Sequence, residues 1–140
     1  MIKAKVKWIG GMQFVGKTAS GHALLMDTSS KIGGEDTAPA PMELLLVALG
    51  GCTGMDVVSI LQKMKIEFEC LEIKVRGERT ANHPRVYKKI ALAYKVKGRN
   101  LSKEKVKRAV ELSQRKYCSI SEMLKPTAEI SYTIEVEQDA

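Results

Sequence analysis

The feature that most constrains the fold is a long, nearly all-apolar segment in the middle of the chain. Pro41 suits the first turn of a helix, and residues 42–63 support one long helix whose first half is apolar on nearly every side. Such a helix must be enclosed by protein. One sheet of a 140-residue chain cannot cover all of its faces, so a second subunit is predicted to cover the rest.

Alternating apolar and polar residues predict strands on both sides of this helix. Three strands are expected before it and three after it, at 2–9, 12–18, 21–27, 68–79, 86–97 and 128–137. A helix capped by Ser102 and ending near Lys116, and a short one over 120–124 capped by Ser119, precede the last strand. Strands grouped apart from helices predict an α+β fold with a mainly antiparallel sheet.

One domain is expected, without an internal repeat or an interdomain linker. It would span residues 1–140, with a β-hairpin arm region at 1–40, the central helix at 41–63, a β-hairpin at 68–97, helices at 102–124 and a final strand at 128–137. Within the arm region, residues 28–40 form a long loop by composition, and loops of this length in compact domains are often functional.

Composition and charge exclude several classes of function. The net charge of +7 comes from lysines scattered over most elements, with few aromatic residues between them, so no nucleic-acid partner is expected. The N-terminal residues read as a strand and not as a secretory signal. The longest apolar run, 44–49, is too short for a bilayer, which needs about 20 residues, so no membrane partner is expected.

The chain contains three widely spaced cysteines, Cys52, Cys70 and Cys118. An odd number without an export signal indicates reduced thiols and a cytoplasmic location. Cysteine and histidine pairs at metal-ligand spacing do not occur, so neither a structural zinc ion nor another cofactor is expected. Cys70 lies in a predicted strand and is interpreted as a bystander thiol.

Cys52 follows two glycines and precedes Thr53 and Gly54 on the central helix. Glycines clear side-chain bulk and let a reactant reach the sulfur, although a small buried core cysteine is the alternative interpretation. Asp56 lies four residues on and therefore shares the same face of the helix. Since a carboxylate disfavours a thiolate, a reactive Cys52 needs a cation from elsewhere in the fold.

Cys118 lies between the basic end of one predicted helix, Arg115-Lys116, and the start of the next. Positive charge and unpaired N–H groups there would both stabilise a thiolate. The alternative, a cysteine that fills a corner between two helices, stays open on these residues.

Two segments together resemble the OsmC/Ohr family, and within it the YhfA-like branch. They are residues 41–58, PMELLLVALGGCTGMDVV, and residues 111–119, ELSQRKYCS. The order of elements fits that family over essentially the whole chain. The resemblance implies an OsmC-like fold, with sheets wrapped around the long central helix in an intertwined homodimer that has two sites at its subunit interface.

The resemblance also implies a peroxiredoxin-like thiol peroxidase that acts in oxidative-stress defence. Cys52 would attack a small or organic hydroperoxide and become a sulfenic acid, and Cys118 would condense with it to a disulfide. A dihydrolipoyl or thioredoxin-like dithiol would then reduce the disulfide.

The activating residues depart from the family pattern. Hydroperoxide reducers of the family carry a glutamate where this chain has Met42, with Glu43 next to it, and an arginine from an early strand. Residues 1–35 contain no arginine, so Lys17 is the nearest candidate cation. His22, on a predicted strand, is a further candidate for lining the site.

A second function stays open beside catalysis. The same fold could bind an apolar or sulfur-bearing small molecule, with the cysteines as redox sensors or structural residues. Met12, Met26, Met42 and Met55 would suit an adaptable binding surface, although methionines at helical spacing are more often core residues.

Overall fold

The computed structural model describes residues Met1–Asp139; Ala140, the last residue of the predicted domain, lies outside the described residues. Its helices and mixed sheets form the α+β fold that the sequence predicts. The chain groups into two compact units, Met1–Leu45 and a second that begins at Leu46. The expectation of a single domain stays a prediction.

The first unit contains an antiparallel sheet of three strands, β1 (Ala4–Gly10), β2 (Gln13–Thr18) and β3 (Ala23–Met26). Gly10 and Gly11 adopt positive φ angles at the turn between β1 and β2, as the Gly-Gly pair predicts. The structure leaves both faces of β1 accessible, with Trp8 61% exposed.

The carboxylate of Asp27 organises the loop that follows β3. It accepts hydrogen bonds from the Thr37 hydroxyl at 2.6 Å and from the backbone N–H groups of Thr28, Glu35 and Thr37. A 3₁₀ turn at Ser30–Ile32 lies inside the loop. The Thr37 hydroxyl and then the N–H donors lower the pKa of Asp27 from 3.8 to about 2. The long predicted loop is therefore held by one buried side chain.

Replacing Asp27 by asparagine is expected to make the free energy of unfolding less dependent on acid pH. Because the folded pKa is depressed, the carboxylate stabilises the fold above pH 3.8, and this contribution is lost as the pH falls towards about 2. Urea unfolding of the wild type and of Asp27→Asn at several pH values between neutral pH and pH 2 measures this dependence. The wild type should be the more stable at neutral pH, and the difference should shrink on acidification; a constant difference would contradict this assignment.

The second unit contains most of helix α1 (Pro41–Lys63), which begins in the first unit, and a second sheet of three strands. These strands are β4 (Cys70–Arg79), β5 (Tyr87–Gly98) and β6 (Glu129–Gln138), in the order β4-β5-β6. β4 and β5 pair antiparallel, but β5 and β6 pair parallel. The mainly antiparallel sheet that the sequence predicts thus ends in one parallel pair.

The parallel pair depends on the helical connection between β5 and β6, because parallel strands need a crossover. Helix α2 (Lys103–Leu112) continues into a π-helical turn, Ser113–Tyr117, and helix α3 (Ser119–Leu124) follows. The Ser102 hydroxyl accepts a hydrogen bond from the Lys105 N–H at 3.3 Å, which confirms the predicted N-cap.

One stripe of α1 is fully buried. Its members recur every four residues: Leu49, Thr53, Val57 and Leu61. Beside the stripe, Gly50 and Gly54 lie over β4: a Cβ atom at either would come within 3.2 Å of Val75 or Ile73. The interior glycines that weaken the isolated helix thus allow it to approach the sheet closely.

By length and composition alone, α1 is long and apolar enough to cross a membrane, with 23 residues and a mean hydropathy of 2.0. The expectation of no membrane partner was drawn from the shorter apolar run 44–49, and it stays a prediction. One such helix is weak support for a membrane span, because the core helix of a soluble protein meets the same criteria. In the single chain 22% of its most apolar window is buried, so most of that window stays accessible.

Candidate functional site

Cys52, Asp56 and Cys118 come together in the second unit. Their two sulfur atoms and one carboxylate oxygen of Asp56 all lie within 4.8 Å of one another. Cys52 and Asp56 are one helical turn apart on α1 and are half-buried, whereas Cys118 is 4% exposed. Residues 66 positions apart in the sequence therefore form one cluster within a single chain, which we call the thiol cluster.

The π-helical turn and α3 hold Cys118 in place. The Cys118 N–H donates to the Ser113 carbonyl at 2.7 Å, and the sulfur accepts the Ser121 N–H at 3.5 Å. Cys118 is thus the N-cap of α3, and the prediction that Ser119 caps this helix was wrong. The expected N–H donor reaches the sulfur, and the cysteine also fills the corner between two helices.

A buried polar network supports the thiol cluster from behind. The Thr53 hydroxyl lies 2.6 Å from the Tyr94 hydroxyl and 2.7 Å from that of Ser113. Ser113 donates to Asp56 at 2.9 Å, which fixes the carboxylate beside the sulfurs. Gln114 donates to Tyr94 at 2.7 Å and to Thr53 at 3.2 Å. The carboxylate therefore belongs to a chain of hydrogen bonds that runs into the core.

The network continues from Gln114 towards the helix that carries Cys118 at its start. The Ser121 hydroxyl donates to Gln114 Oε1 at 3.2 Å, and Lys125 Nζ donates to the Gln114 carbonyl at 3.1 Å. Both ends of the cluster, Asp56 and Cys118, are thus tied to the same buried groups.

Burial dominates the electrostatics of the site. It raises the pKa of Cys118, against the opposing hydrogen bonds from Ser121, and the neighbouring Cys52 raises it further. Burial also raises the pKa of Tyr94 to about 12, so its hydroxyl stays protonated at neutral pH. Arg115 and Lys116, expected to favour a thiolate at Cys118, have exposed side chains, and Lys116 lies over the Tyr117 ring.

Cys70 and Cys118 are expected to react with iodoacetamide at different rates. Cys70 is exposed and should be alkylated first, and Cys118 should react about tenfold or more slowly, because its sulfur is buried and its pKa is raised. Mass spectrometry of time points at neutral pH gives the rates, and the same experiment in urea should abolish the difference. Equal rates for Cys70 and Cys118 in the folded protein would contradict this burial.

A small cavity reaches Cys118 from the surface. It has a volume of about 430 Å³ and is lined by residues 114–119, Glu122 and Met123. A separate apolar groove of about 950 Å³ runs along α1 and β4, past Gly50, Gly51 and Gly54. Cys118 is therefore buried but lies at the wall of a surface cavity.

The other predicted site residues belong to the first unit. Lys17 lies on β2 and is exposed; His22, also exposed, contacts the Ser20 hydroxyl at 3.1 Å through Nδ1. Glu43 accepts the Ala40 N–H at 3.0 Å and so caps the start of α1 next to half-buried Met42. Their participation in the site stays a prediction.

Sequence reasoning missed the polar network around the thiol cluster. Its members are Thr53, Tyr94, Ser113, Gln114 and Ser121. One signal was present: Thr53 is the polar member of an otherwise apolar stripe on α1. A polar residue at a core position predicts a buried partner for its hydroxyl.

Two sulfurs and a carboxylate on a buried polar network, in a mixed α+β fold, define a candidate thiol-based redox site. Comparison with known proteins identifies the family. The OsmC-like protein family matches residues 33–133, and the chain belongs to this family. Family membership supports a peroxide-related or stress-response role.

Relatives share nearly the whole chain. Protein YhfA of Escherichia coli K12 is 45% identical over 135 residues, which are 96% of this chain and 98% of YhfA. A crystal structure from Aquifex aeolicus is 32% identical with a TM-score of 0.82 and covers 99% of this chain and 98% of its own. An organic hydroperoxide resistance protein OsmC of Legionella pneumophila has the same fold, at 19% identity and a TM-score of 0.75, with 97% of each chain covered.

Proposed function

We propose that the chain is a thiol-dependent hydroperoxide reductase whose reactive pair is Cys52 and Cys118. One observation carries the proposal: the two sulfurs lie within 4.8 Å of each other in the reduced chain. A disulfide has a sulfur–sulfur distance of about 2.05 Å, so bonding requires an approach of less than about 3 Å and no refolding. The third cysteine, Cys70, lies exposed on β4.

The difference in exposure supports different roles for the two sulfurs. Cys52 is the more accessible and attacks the hydroperoxide: one peroxide oxygen is transferred to sulfur, giving a sulfenic acid, and the other leaves in an alcohol. The Cys118 thiol then displaces the sulfenic hydroxyl, forming the disulfide and water. An external dithiol, such as a dihydrolipoyl or thioredoxin-like group, reduces the disulfide and is itself oxidised.

Asp56 is suited to proton transfer between the sulfurs. The buried Cys118 has a raised pKa and must lose its proton before it can attack. A carboxylate oxygen within 4.8 Å of both sulfurs is close enough to take that proton through one bridging water molecule and return it to the departing hydroxyl. The hydrogen bond from Ser113 keeps the carboxylate in place throughout.

Activation of Cys52 is where this chain differs from the pattern that its resemblance implies. The charged group of the thiol cluster is a carboxylate, which disfavours the thiolate. We propose Lys17 as the cation that offsets it, with His22, Met42 and Glu43 lining the substrate side. Small hydroperoxides in a reducing cytoplasm, where both thiols stay reduced, are the proposed setting.

We further propose that the protein is a homodimer. Apolar side chains of both units are exposed in the single chain, including Trp8 at 61%, Val47 at 67% and Met55 at 76%. Val47 and Met55 both line the apolar groove along α1 and β4, and an exposed apolar surface of this kind is typical of an interaction site. Sedimentation equilibrium is expected to give twice the mass of the chain; a monomer at micromolar concentration would contradict the dimer.

Peroxide consumption tests the proposed function. The reduced protein is incubated with cumene hydroperoxide or hydrogen peroxide and either dihydrolipoamide or a thioredoxin system, and the remaining peroxide is measured. We expect catalytic turnover with at least one pair of substrates. Failure to consume either oxidant beyond the rate of free dithiol would favour a protein that binds small molecules without catalysis.

A further inference from the structure

The reduced thiol cluster has the donor set of a metal site. We propose that Cys52, Asp56 and Cys118 bind one thiophilic divalent cation, Zn²⁺ or its analogue Cd²⁺, in the reduced chain. Two sulfurs and a carboxylate oxygen converge within 4.8 Å of one another, and all three are ligand types that Zn²⁺ prefers. The spacing of cysteines in the sequence predicted no zinc ion, because it considered only neighbouring residues.

The secondary structure brings the three proposed ligands together. Cys52 and Asp56 stand at positions i and i+4 of α1, a spacing that puts two ligands on one face of a helix. Cys118 approaches from the start of α3, where its N–H is fixed to the Ser113 carbonyl. The three ligands therefore come from two rigid elements and need no loop to fold around the ion.

The geometry is close to what a tetrahedral ion requires. Bonds from zinc to thiolate sulfur of about 2.3 Å separate two such ligands by about 3.7 Å, so the two sulfurs need to approach each other by no more than roughly 1 Å. Cys52 and Asp56 are only half-buried, which favours an adjustment of this size. Three protein ligands leave the fourth position to water or an external ligand, as in catalytic zinc sites.

Residues of the buried polar network already orient Asp56, one of the three proposed ligands. Ser113 donates to Asp56 Oδ2 at 2.9 Å, and a carboxylate has lone pairs enough to accept this bond and still bind a cation. Hydrogen bonds of this kind, from residues that do not touch the ion, strengthen metal binding. Thr53 in turn fixes Ser113, so the buried network supports the proposed ligand from the core side.

Binding and oxidation exclude each other, because they use the same sulfurs. On binding, both thiols lose their protons and become thiolate ligands. If a hydroperoxide oxidises the site, the two thiolates give up two electrons, a disulfide forms, the peroxide with two protons becomes alcohol and water, and the cation is released. Chelation itself needs only reduced thiols, so it does not rest on the proposed peroxidase function.

Cadmium titration tests the site directly. The reduced full-length protein is titrated with Cd²⁺ without oxygen, and the ultraviolet charge-transfer band of the Cd–thiolate bond is followed; competition with a chromophoric chelator gives Zn²⁺ stoichiometry and affinity. We expect one ion per chain in the wild type and in Cys70→Ser. Cys52→Ser and Cys118→Ser should lose the band, and Asp56→Asn should bind about tenfold or more weakly.

Two further measurements separate chelation from misfolding and from catalysis. Wild-type protein oxidised to the Cys52–Cys118 disulfide, with its fold checked by circular dichroism, should bind no Cd²⁺ and regain binding on reduction. Absence of the band in the reduced wild type, or its persistence in Cys52→Ser, would overturn the proposal. Peroxide consumption is measured on the same samples without metal, so loss of one property does not conceal the other.

Discussion

Replacing Cys52 by serine is expected to lower the rate of cumene hydroperoxide consumption by about 100-fold or more, because a serine hydroxyl cannot accept the peroxide oxygen as a thiolate does. Cys118→Ser should behave differently. Its intact Cys52 sulfur should consume one equivalent of hydroperoxide and then stop as a sulfenic acid, which a dimedone probe labels.

The matched control is Cys70→Ser, which removes a thiol from the exposed position on β4. Its turnover should equal that of the wild type. Stopped-flow measurement of the first turnover, followed by steady-state assays with dithiol, distinguishes the two steps. If Cys52→Ser keeps most of the activity while Cys118→Ser loses the first equivalent, the roles of the two sulfurs are reversed from those proposed.

Replacing Thr53 by valine is expected to destabilise the fold by about 2 kcal/mol, because it leaves buried hydrogen-bonding groups without a partner. The two side chains have the same shape, so the hydroxyl is what changes. That hydroxyl meets Tyr94 at 2.6 Å and Ser113 at 2.7 Å, and it accepts from Gln114 at 3.2 Å. All four residues are buried.

The same substitution at an exposed threonine supplies the control. Thr133 lies on β6 with its side chain exposed, and Thr133→Val should change the free energy of unfolding by no more than about 0.5 kcal/mol. Both variants are unfolded in urea at one fixed protein concentration, since a dimer couples stability to concentration. A Thr53→Val protein as stable as the control would mean that the network contributes nothing to the fold.

The sequence predicted those parts of the fold that local patterns determine. Pro41 and the apolar run placed the start of α1, and the residues around Ser102 placed the start of α2, each within a residue or two. The parallel pairing of β5 with β6 was missed, because an alternating strand carries no signal of the direction of its neighbour.

In the candidate site, too, local patterns predicted some residues, whereas contacts between distant residues were missed. The resemblance singled out Cys52 and Cys118, and helical spacing placed Asp56 on the face of Cys52. Thr53 and Ser113 are 60 residues apart, and their contact depends on how α2 widens into a π turn, which has no local sequence signature. Ser119 was the better N-cap by residue type, but the cysteine before it occupies that position.

Mapping the disulfide after a single oxidation tests the central claim most directly. The reduced Cys70→Ser protein is treated with one equivalent of cumene hydroperoxide, quenched with an alkylating agent, digested without reduction and analysed by mass spectrometry. A Cys52–Cys118 crosslink should account for nearly all of the lost thiol, and a non-reducing gel should show it within one chain. The account would be contradicted if Cys52 and Cys118 were both found alkylated after the hydroperoxide treatment. A crosslink that joins two copies of Cys52 would also contradict it.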